Sequence, residues 1–159
     1  MKTITCFFLL WFVSVLHAET ITGRVVNVAD GDTITILDAS NTQRKIRFAG
    51  IDAPERKQPF GTVSKNHMAE LTFGKEATAL CHKKDRYKRD ICIVYVDGKD
   101  VSLAQLDAGL AWVYRKYVGE LPPALQSEYL SAEDRAAADR VGLWRDNNPV
   151  PPWEWRKRK

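Results

Sequence analysis

The chain has 159 residues, of which 45% are hydrophobic and 28% are charged, and its formal net charge is +4 at pH 7. This length suits one domain with a substantial core and leaves little room for two domains. The composition is that of a folded protein and argues against a chain that is disordered over its whole length. The positive charge favours anionic partners, but a charge of this size does not by itself indicate nucleic-acid binding.

Residues 1–18 are predicted to be a signal peptide. Lys2 gives a short positive start, residues 4–16 are mostly apolar, and Ala18 offers a small residue for cleavage. A retained anchor helix and a first core helix are the alternatives, although the apolar run is short for a membrane span. We therefore expect an exported protein, periplasmic or secreted, whose mature form has no membrane segment.

Five strands are predicted from β-branched composition and alternating polarity. They cover residues 21–28, 33–37, 42–49, 76–83 and 90–96. Short polar turns join the first three strands into an antiparallel meander.

Helices are predicted over residues 63–73, 101–108 and 122–140, each followed by glycine or ending near one. The first helix is expected to turn four residues toward the core, namely Val63, Met68, Leu71 and Thr72. Five strands and about three helices indicate an α+β domain built on a five-stranded oligonucleotide/oligosaccharide-binding (OB) barrel. This domain should span residues 19–146, and the basic, Pro- and Trp-rich residues 147–159 should form a solvated tail whose tip could contact anions.

Cys81 and Cys92 are the two cysteines of the mature chain. In an oxidising compartment such a pair is a natural disulfide, with two buried free thiols as the alternative. The two cysteines should oppose each other across a hairpin and staple the cationic loop 84–89. The mature chain has two dispersed histidines, His67 and His82, and no CxxC spacing, which disfavours a zinc site.

Residues 47–55 carry the densest chemistry of the sequence. Arg47 alternates with apolar Ile46 and Phe48, so its side chain should point away from the buried face of the strand. A glycine-containing turn then brings two carboxylates, Asp52 and Glu55, to the strand end. Carboxylates that hold a cation, together with arginines and a glutamate base, would make a phosphodiesterase site.

Each of these motifs also has a purely structural interpretation. Asp30-Gly31-Asp32 could be a polar hairpin turn, and Asp52 and Glu55 could cap the next segment. Arg47 could pair with either acid in a surface salt bridge. The charged residues 83–89 could be a solvated loop.

Several blocks taken together resemble the staphylococcal nuclease (thermonuclease) family: VADGDTITIL, RFAGIDAPE, DRYKRDICIVYVDG, LAQLDAGLAWVY and VGLW. They occur in order and with compatible spacing over most of residues 21–145. The resemblance implies a Ca²⁺-dependent nuclease that acts on DNA and RNA. We expect a monomer that prefers single strands.

By motif position, the resemblance implies that Glu55 activates a water while Arg47 and Arg89 stabilise the pentacovalent phosphorus. It further implies one Ca²⁺ ion, held by Asp32, Asp52 and the backbone carbonyl of Ala53. Three residues are expected to bind substrate, because interleaved aromatic and cationic side chains are typical of single-strand binders: Arg86, Tyr87 and Tyr117. Packing at the rim is the alternative for these three.

Two positions depart from the family pattern. Lys88 stands where a glycine commonly precedes the closing arginine, and Arg115 stands near the place of a nucleotide-stacking tyrosine. A non-catalytic nucleic-acid-binding barrel and an exported structural or adhesion protein are the rival functions. Neither needs the complete set of acids and arginines found here.

Overall fold

In the computed structural model the described residues are 19–158, so the predicted signal peptide lies outside the described part of the chain. The strands are β1 (Glu19–Asp30), β2 (Thr33–Asp38), β3 (Gln43–Phe48), β4 (Ile51–Asp52), β5 (Glu76–Lys84), β6 (Asp90–Val96), β7 (Lys99–Asp100) and β8 (Trp112–Val113). The helices are α1 (Gly61–Thr72), α2 (Val101–Asp107), α3 (Pro123–Ala138) and α4 (Pro152–Trp155). Short 3₁₀ segments cover Val118–Glu120, Gly142–Arg145 and Arg156–Arg158. Within residues 19–158 no helix is long and apolar enough to cross a bilayer.

The five long strands close into a barrel in the order β3-β2-β1-β5-β6, with β3 and β6 pairing in parallel. The first half of β1 pairs with β5 and its second half with β2, so this one strand belongs to both sides of the barrel. Register shifts in β1 mark bulges, which bend a strand and help a sheet to close. The predicted α+β fold with an OB-type barrel is confirmed.

The barrel interior is filled by alternating apolar side chains. Ile34 and Ile36 of β2 and Ile46 and Phe48 of β3 are buried. Arg47 lies between the last two in sequence and points to the other side of its strand, as the alternation predicts. The same pattern that builds the core thus aims Arg47 out of it.

The predicted orientation of α1 is partly wrong. Val63 is exposed, whereas Ser64, Met68 and Thr72 are fully buried. These three are spaced four residues apart and form one helix face, which turns Val63 toward solvent. Ser64, a small polar residue, therefore faces the barrel, whereas the sequence predicted that Val63 would do so.

The prediction of a solvated tail is also wrong. Residues 152–155 form α4, Pro152 is buried, and the Trp153 ring stacks in parallel on Tyr114 with the ring centroids 5.3 Å apart. Proline and tryptophan offer large apolar surfaces that gain from contact with the domain. The tail is folded back onto the end of the barrel that carries the predicted site.

Candidate active site

Arg47 joins two buried aspartates at the end of β3. Its Nη2 lies 3.0 Å from Asp52 Oδ1 and 3.3 Å from Asp32 Oδ2. Its Nη1 donates to the carbonyl oxygens of Phe48 and Ile51, both at 2.9 Å. The guanidinium is thus held from several sides, and its charge offsets part of that of the two carboxylates.

Close packing fixes the turn that carries Asp32. A Cβ atom on Gly31 would lie 1.9 Å from Ser64 Oγ, so α1 leaves room only for glycine. Gln105 Nε2 donates to the Gly31 carbonyl and to Ser64 Oγ, which ties the turn to α1 and α2. Asp32 Oδ2 accepts a hydrogen bond from the Ala53 backbone amide at 2.6 Å, which joins this turn to the segment after β4.

The carboxyl groups of Asp32 and Asp52 are buried close to one another, where the dielectric constant is low. Burial raises the pKa of Asp52, and the negative charge of Asp32 raises it further, against hydrogen bonds from Arg156 and the charge of Arg47. Burial, together with Asp32, raises the pKa of Asp30 to about 7. Acids packed in this way favour a neighbouring cation.

Glu55 lies on the loop after β4, closer to solvent. Its backbone amide donates to Gln58 Oε1 at 3.1 Å, and its carbonyl oxygen would be 2.0 Å from a Cβ on Gly61. The loop therefore packs tightly on the start of α1, while the Glu55 side chain remains about one-third exposed. The backbone is fixed and the carboxylate reaches the open side of the site.

Arg89 reaches the same region from the loop between β5 and β6. Its Nε donates to Asp85 Oδ2 at 2.7 Å, and its Nη1 lies 3.5 Å from Thr33 Oγ1. The Thr33 hydroxyl in turn donates to Asp32 Oδ1 at 3.0 Å. A chain of polar contacts thus runs from Arg89 to one of the predicted metal ligands.

Arg156 is a site residue that the sequence did not reveal. Its Nη2 lies 2.7 Å from Asp52 Oδ2, and its Nη1 lies 2.9 Å from Glu55 Oε1. Its place in a basic tail gave no sign of these partners. The available signal was the proline and tryptophan content of the tail, which predicts docking onto the domain but not where.

Comparison with known proteins gives a consistent result. The family described as staphylococcal nuclease homologue matches residues 45–146. An uncharacterized endonuclease of Escherichia coli O157:H7 is 45% identical over 139 residues, covering 86% of each chain. A micrococcal nuclease of Shigella flexneri is 40% identical over 144 residues, covering 85% of this chain and 80% of its own. An uncharacterized endonuclease of Haemophilus influenzae is 38% identical over 146 residues, covering 92% and 79%.

The chain belongs to the staphylococcal nuclease family. The family match and the names of these relatives identify it as a hydrolytic nuclease. In this nuclease the predicted site residues Arg47, Glu55 and Arg89 are connected through intermediate residues: Arg47 and Glu55 through Asp52 and Arg156, and Arg47 and Arg89 through Asp32 and Thr33.

Lys88 and Arg115 are the two residues that depart from the family pattern, and the structure accommodates both. Lys88 adopts a φ of 62°, a left-handed conformation that glycine takes more readily. Asp85 supports this turn by accepting hydrogen bonds from the amides of Tyr87 and Arg89. Arg115 forms an ion pair with Glu133, a buried acid that also accepts from the Val113 amide at 2.7 Å.

The predicted substrate-binding residues Tyr87 and Tyr117 are exposed to solvent and lie against cationic side chains. Tyr87 is exposed, with the guanidinium carbons of Arg86 and Arg89 4.8 Å and 5.5 Å from its ring centroid. Tyr117 meets Tyr114 edge to face and has the ammonium groups of Lys83 and Lys116 each 5.3 Å from its ring. These contacts keep aromatic rings and cations together on the surface.

Cys81 and Cys92 are direct partners in the β5–β6 ladder, as the sequence predicts for a hairpin. The structure joins them as a disulfide beside the loop that carries Arg89. Both residues are buried.

The donor chemistry of the predicted ligand set fits Ca²⁺. Across residues 19–158 no group of three or more His, Cys, Asp and Glu side chains is arranged as a metal cluster. The predicted set relies on fewer side chains, with two buried carboxylates, Asp32 and Asp52, and the main-chain oxygen of Ala53. Oxygen ligands alone suit a hard cation such as Ca²⁺, whose remaining positions water and substrate can fill.

Proposed function

We propose that this nuclease is a Ca²⁺-dependent endonuclease that hydrolyses phosphodiester bonds of DNA and RNA, with single strands preferred. The observation that carries the proposal is the largely buried guanidinium of Arg47, which draws Asp32 and Asp52 together. Such a cluster of fixed positive and negative charge is suited to a phosphate group and a metal ion. The endonuclease and nuclease names of the relatives support the same reaction class.

The cation would be held by Asp32, Asp52 and the carbonyl oxygen of Ala53. Bound there, Ca²⁺ would polarise the phosphoryl group and help to align the nucleophile. The burial of both carboxylates supports this assignment, because two like charges in a low-dielectric place favour a cation between them.

Glu55 is proposed to be the general base. Its carboxylate lies on the open side of the site, where a water can reach it. It takes a proton from the attacking water, whose oxygen forms the new bond to phosphorus while the bond to the leaving oxygen breaks. General bases of this kind typically contribute 10²–10⁴-fold to the rate.

Arg47 and Arg89 are proposed to stabilise the negative charge that builds up on the phosphoryl oxygens. Arg47 is rigidly held, so its charge is in place before the substrate binds. Arg89 lies on the side of Thr33, from where its planar fork could bind phosphate oxygens or the leaving oxygen.

We also propose that the mature nuclease acts outside the cytoplasm as a monomer. The predicted signal peptide and the placement of Cys81 opposite Cys92 support export, because disulfides persist in oxidising compartments.

The experiment that tests the proposal is digestion of circular single-stranded DNA and of RNA by the mature protein, with Ca²⁺ and then with excess chelator. Cleavage of the circle in Ca²⁺ alone would support a metal-dependent endonuclease, since a circle has no end for an exonuclease. Glu55→Gln should lose most of this activity, and Glu76→Gln, the same change at the exposed start of β5, should retain it. Binding of DNA without cleavage in any divalent ion would contradict the proposal.

A further inference from the structure

The C-terminal segment, residues 147–158, returns to the barrel and is anchored beside the active site. The carbonyl oxygen of Val150 accepts a hydrogen bond from Gln58 Nε2 on the loop that follows Glu55. Val150 and Trp155 line one small pocket together with Phe60 and Trp112. The segment is therefore attached to the same loop that carries the proposed base.

Aromatic stacking adds a second anchor. Trp153 lies parallel to Tyr114, at an interplanar angle of 2°. Tyr114 is itself fixed by its amide, which donates to the Gly50 carbonyl at 2.8 Å, just before β4. Trp153 thus covers the ring of a residue whose backbone is hydrogen-bonded to the turn that leads into β4 and Asp52.

These anchors place Arg156 on the oxygens that a metal ion and a base would use. Arg156 Nη2 lies 2.7 Å from Asp52 Oδ2, and its Nη1 lies 3.3 Å from Asp52 Oδ1, the oxygen that also faces Arg47 at 3.0 Å. Arg156 Nη1 holds Glu55 Oε1 at 2.9 Å. One guanidinium therefore binds a proposed metal ligand and the proposed base together.

We propose that the C-terminal segment is an intramolecular plug, in which Arg156 takes the place of the cation and must leave before Ca²⁺ binds. The inference rests on the proposed function, because Asp52 and Glu55 matter here as metal ligand and base. Ca²⁺ and the guanidinium compete for the same carboxylate oxygens, and two cations side by side repel each other. With Arg156 in place, Glu55 is also not free to accept a proton from water.

The strength of the plug follows from its attachment and its exposure. The Arg156 side chain is 40% exposed, so water and salt weaken its ion pairs and an incoming ion can displace it. The anchors at Gln58 and Tyr114 hold the guanidinium near the acids at a high effective concentration. The segment therefore closes the site reversibly and lowers the apparent affinity for Ca²⁺.

The test is calorimetric titration of the metal-free mature protein with Ca²⁺ in the absence of nucleic acid. Arg156→Gln should bind Ca²⁺ about 5- to 30-fold more tightly than wild type, because the competing charge-assisted pair is lost. Lys157→Gln is the matched control, since it removes one positive charge from the neighbouring exposed residue, and its affinity should stay within about twofold. Trp153→Ala, which loosens an anchor and keeps Arg156, should shift the affinity in the same direction as Arg156→Gln.

Hydrogen exchange provides a readout of the segment itself. The amides of Glu154 and Trp155 donate to the Pro151 carbonyl, both at 3.0 Å, and a helix this short does not persist once it leaves the domain. Exchange of these amides in the wild type should therefore speed up when Ca²⁺ is added.

Two results would overturn the plug while leaving the proposed function intact. One is equal or weaker Ca²⁺ binding by Arg156→Gln, which would make Arg156 a fixed part of the site. The other is unchanged exchange of residues 154–155 at saturating Ca²⁺. Absence of Ca²⁺ binding by every variant would instead overturn the proposed function, and the plug with it.

Discussion

The buried and exposed halves of the site are held in different ways. The side chains of Asp32, Arg47 and Asp52 are 7%, 11% and 3% exposed, and each has several partners from separate parts of the chain. Glu55 and Arg156 are 35% and 40% exposed; they pair with each other, and Arg156 also pairs with Asp52. The barrel thus supplies a charged frame of buried residues, and the more exposed Glu55 and Arg156 lie on its outer side.

The largest expected effect is on the cleavage rate and comes from a change at Glu55, in the exposed half of the site. Glu55→Gln should lower the single-turnover rate of DNA cleavage by about 10²–10⁴-fold, since the amide cannot act as a base. Because the side chain is one-third exposed, the free energy of unfolding in urea should change by about 0.5 kcal/mol or less. Near-full activity in this variant would remove Glu55 as the base.

Arg47→Met should lower folding stability strongly, in addition to removing the charge proposed to stabilise the phosphoryl oxygens. It leaves Asp32 and Asp52 buried without their shared partner, which should cost about 3–5 kcal/mol of unfolding free energy in the presence of chelator. Arg135→Met removes an exposed pair with Asp107 and should cost about 0–1 kcal/mol. Equal losses of unfolding free energy in the two variants would show that the Arg47 cluster contributes no more to stability than an exposed ion pair.

The pH dependence of stability should report on Asp30. Its usual pKa of 3.8 rises to about 7 on folding, so the folded state binds a proton more tightly than the unfolded state. The corresponding stability is complete below about pH 4 and is lost as pH rises through about 7. In chelator, wild type should therefore lose stability relative to Asp30→Asn over this range, by about 2–4 kcal/mol. A difference that stays constant in urea unfolding from pH 4 to 8 would contradict the shift.

The smallest expected effect comes from the disulfide beside the Arg89 loop. Replacing both Cys81 and Cys92 by alanine should lower the unfolding free energy by about 2–3 kcal/mol, because the bond closes a short loop in the unfolded chain. Cleavage should fall as the loop loosens. Intact-mass measurement of the exported wild-type protein shows whether Cys81 and Cys92 are oxidised. Two free thiols in that protein would remove the basis of the prediction.

Local sequence patterns predicted the frame of the site well. The alternation around Ile46 and Phe48 indicated the direction of Arg47, and the turn residues indicated where Asp32 and Asp52 lie. These features depend on the two-residue repeat of a strand and on short turns, which are properties of neighbouring residues. The positions of the five long strands and of α1, α2 and α3 followed from the same kind of pattern, whereas the two-residue strands and α4 did not.

Contacts between distant parts of the chain were not predictable from such patterns. Arg156 and Asp52 are 104 positions apart, and no repeat or spacing connects them. The burial of Glu133 likewise depends on the amide of Val113 and on Arg115, which α3 meets only in the folded chain. The exposure of Val63 depends on which face of α1 the barrel covers.

A crystal structure of the mature protein grown with Ca²⁺ tests the central claim most directly. We expect an anomalous peak about 2.3–2.6 Å from carboxylate oxygens of Asp32 and Asp52 and from the carbonyl oxygen of Ala53. Arg156 should then lie away from Asp52. A peak on other residues, or saturating Ca²⁺ with no ion at this place, would contradict the assignment of this cluster as the metal site of the nuclease.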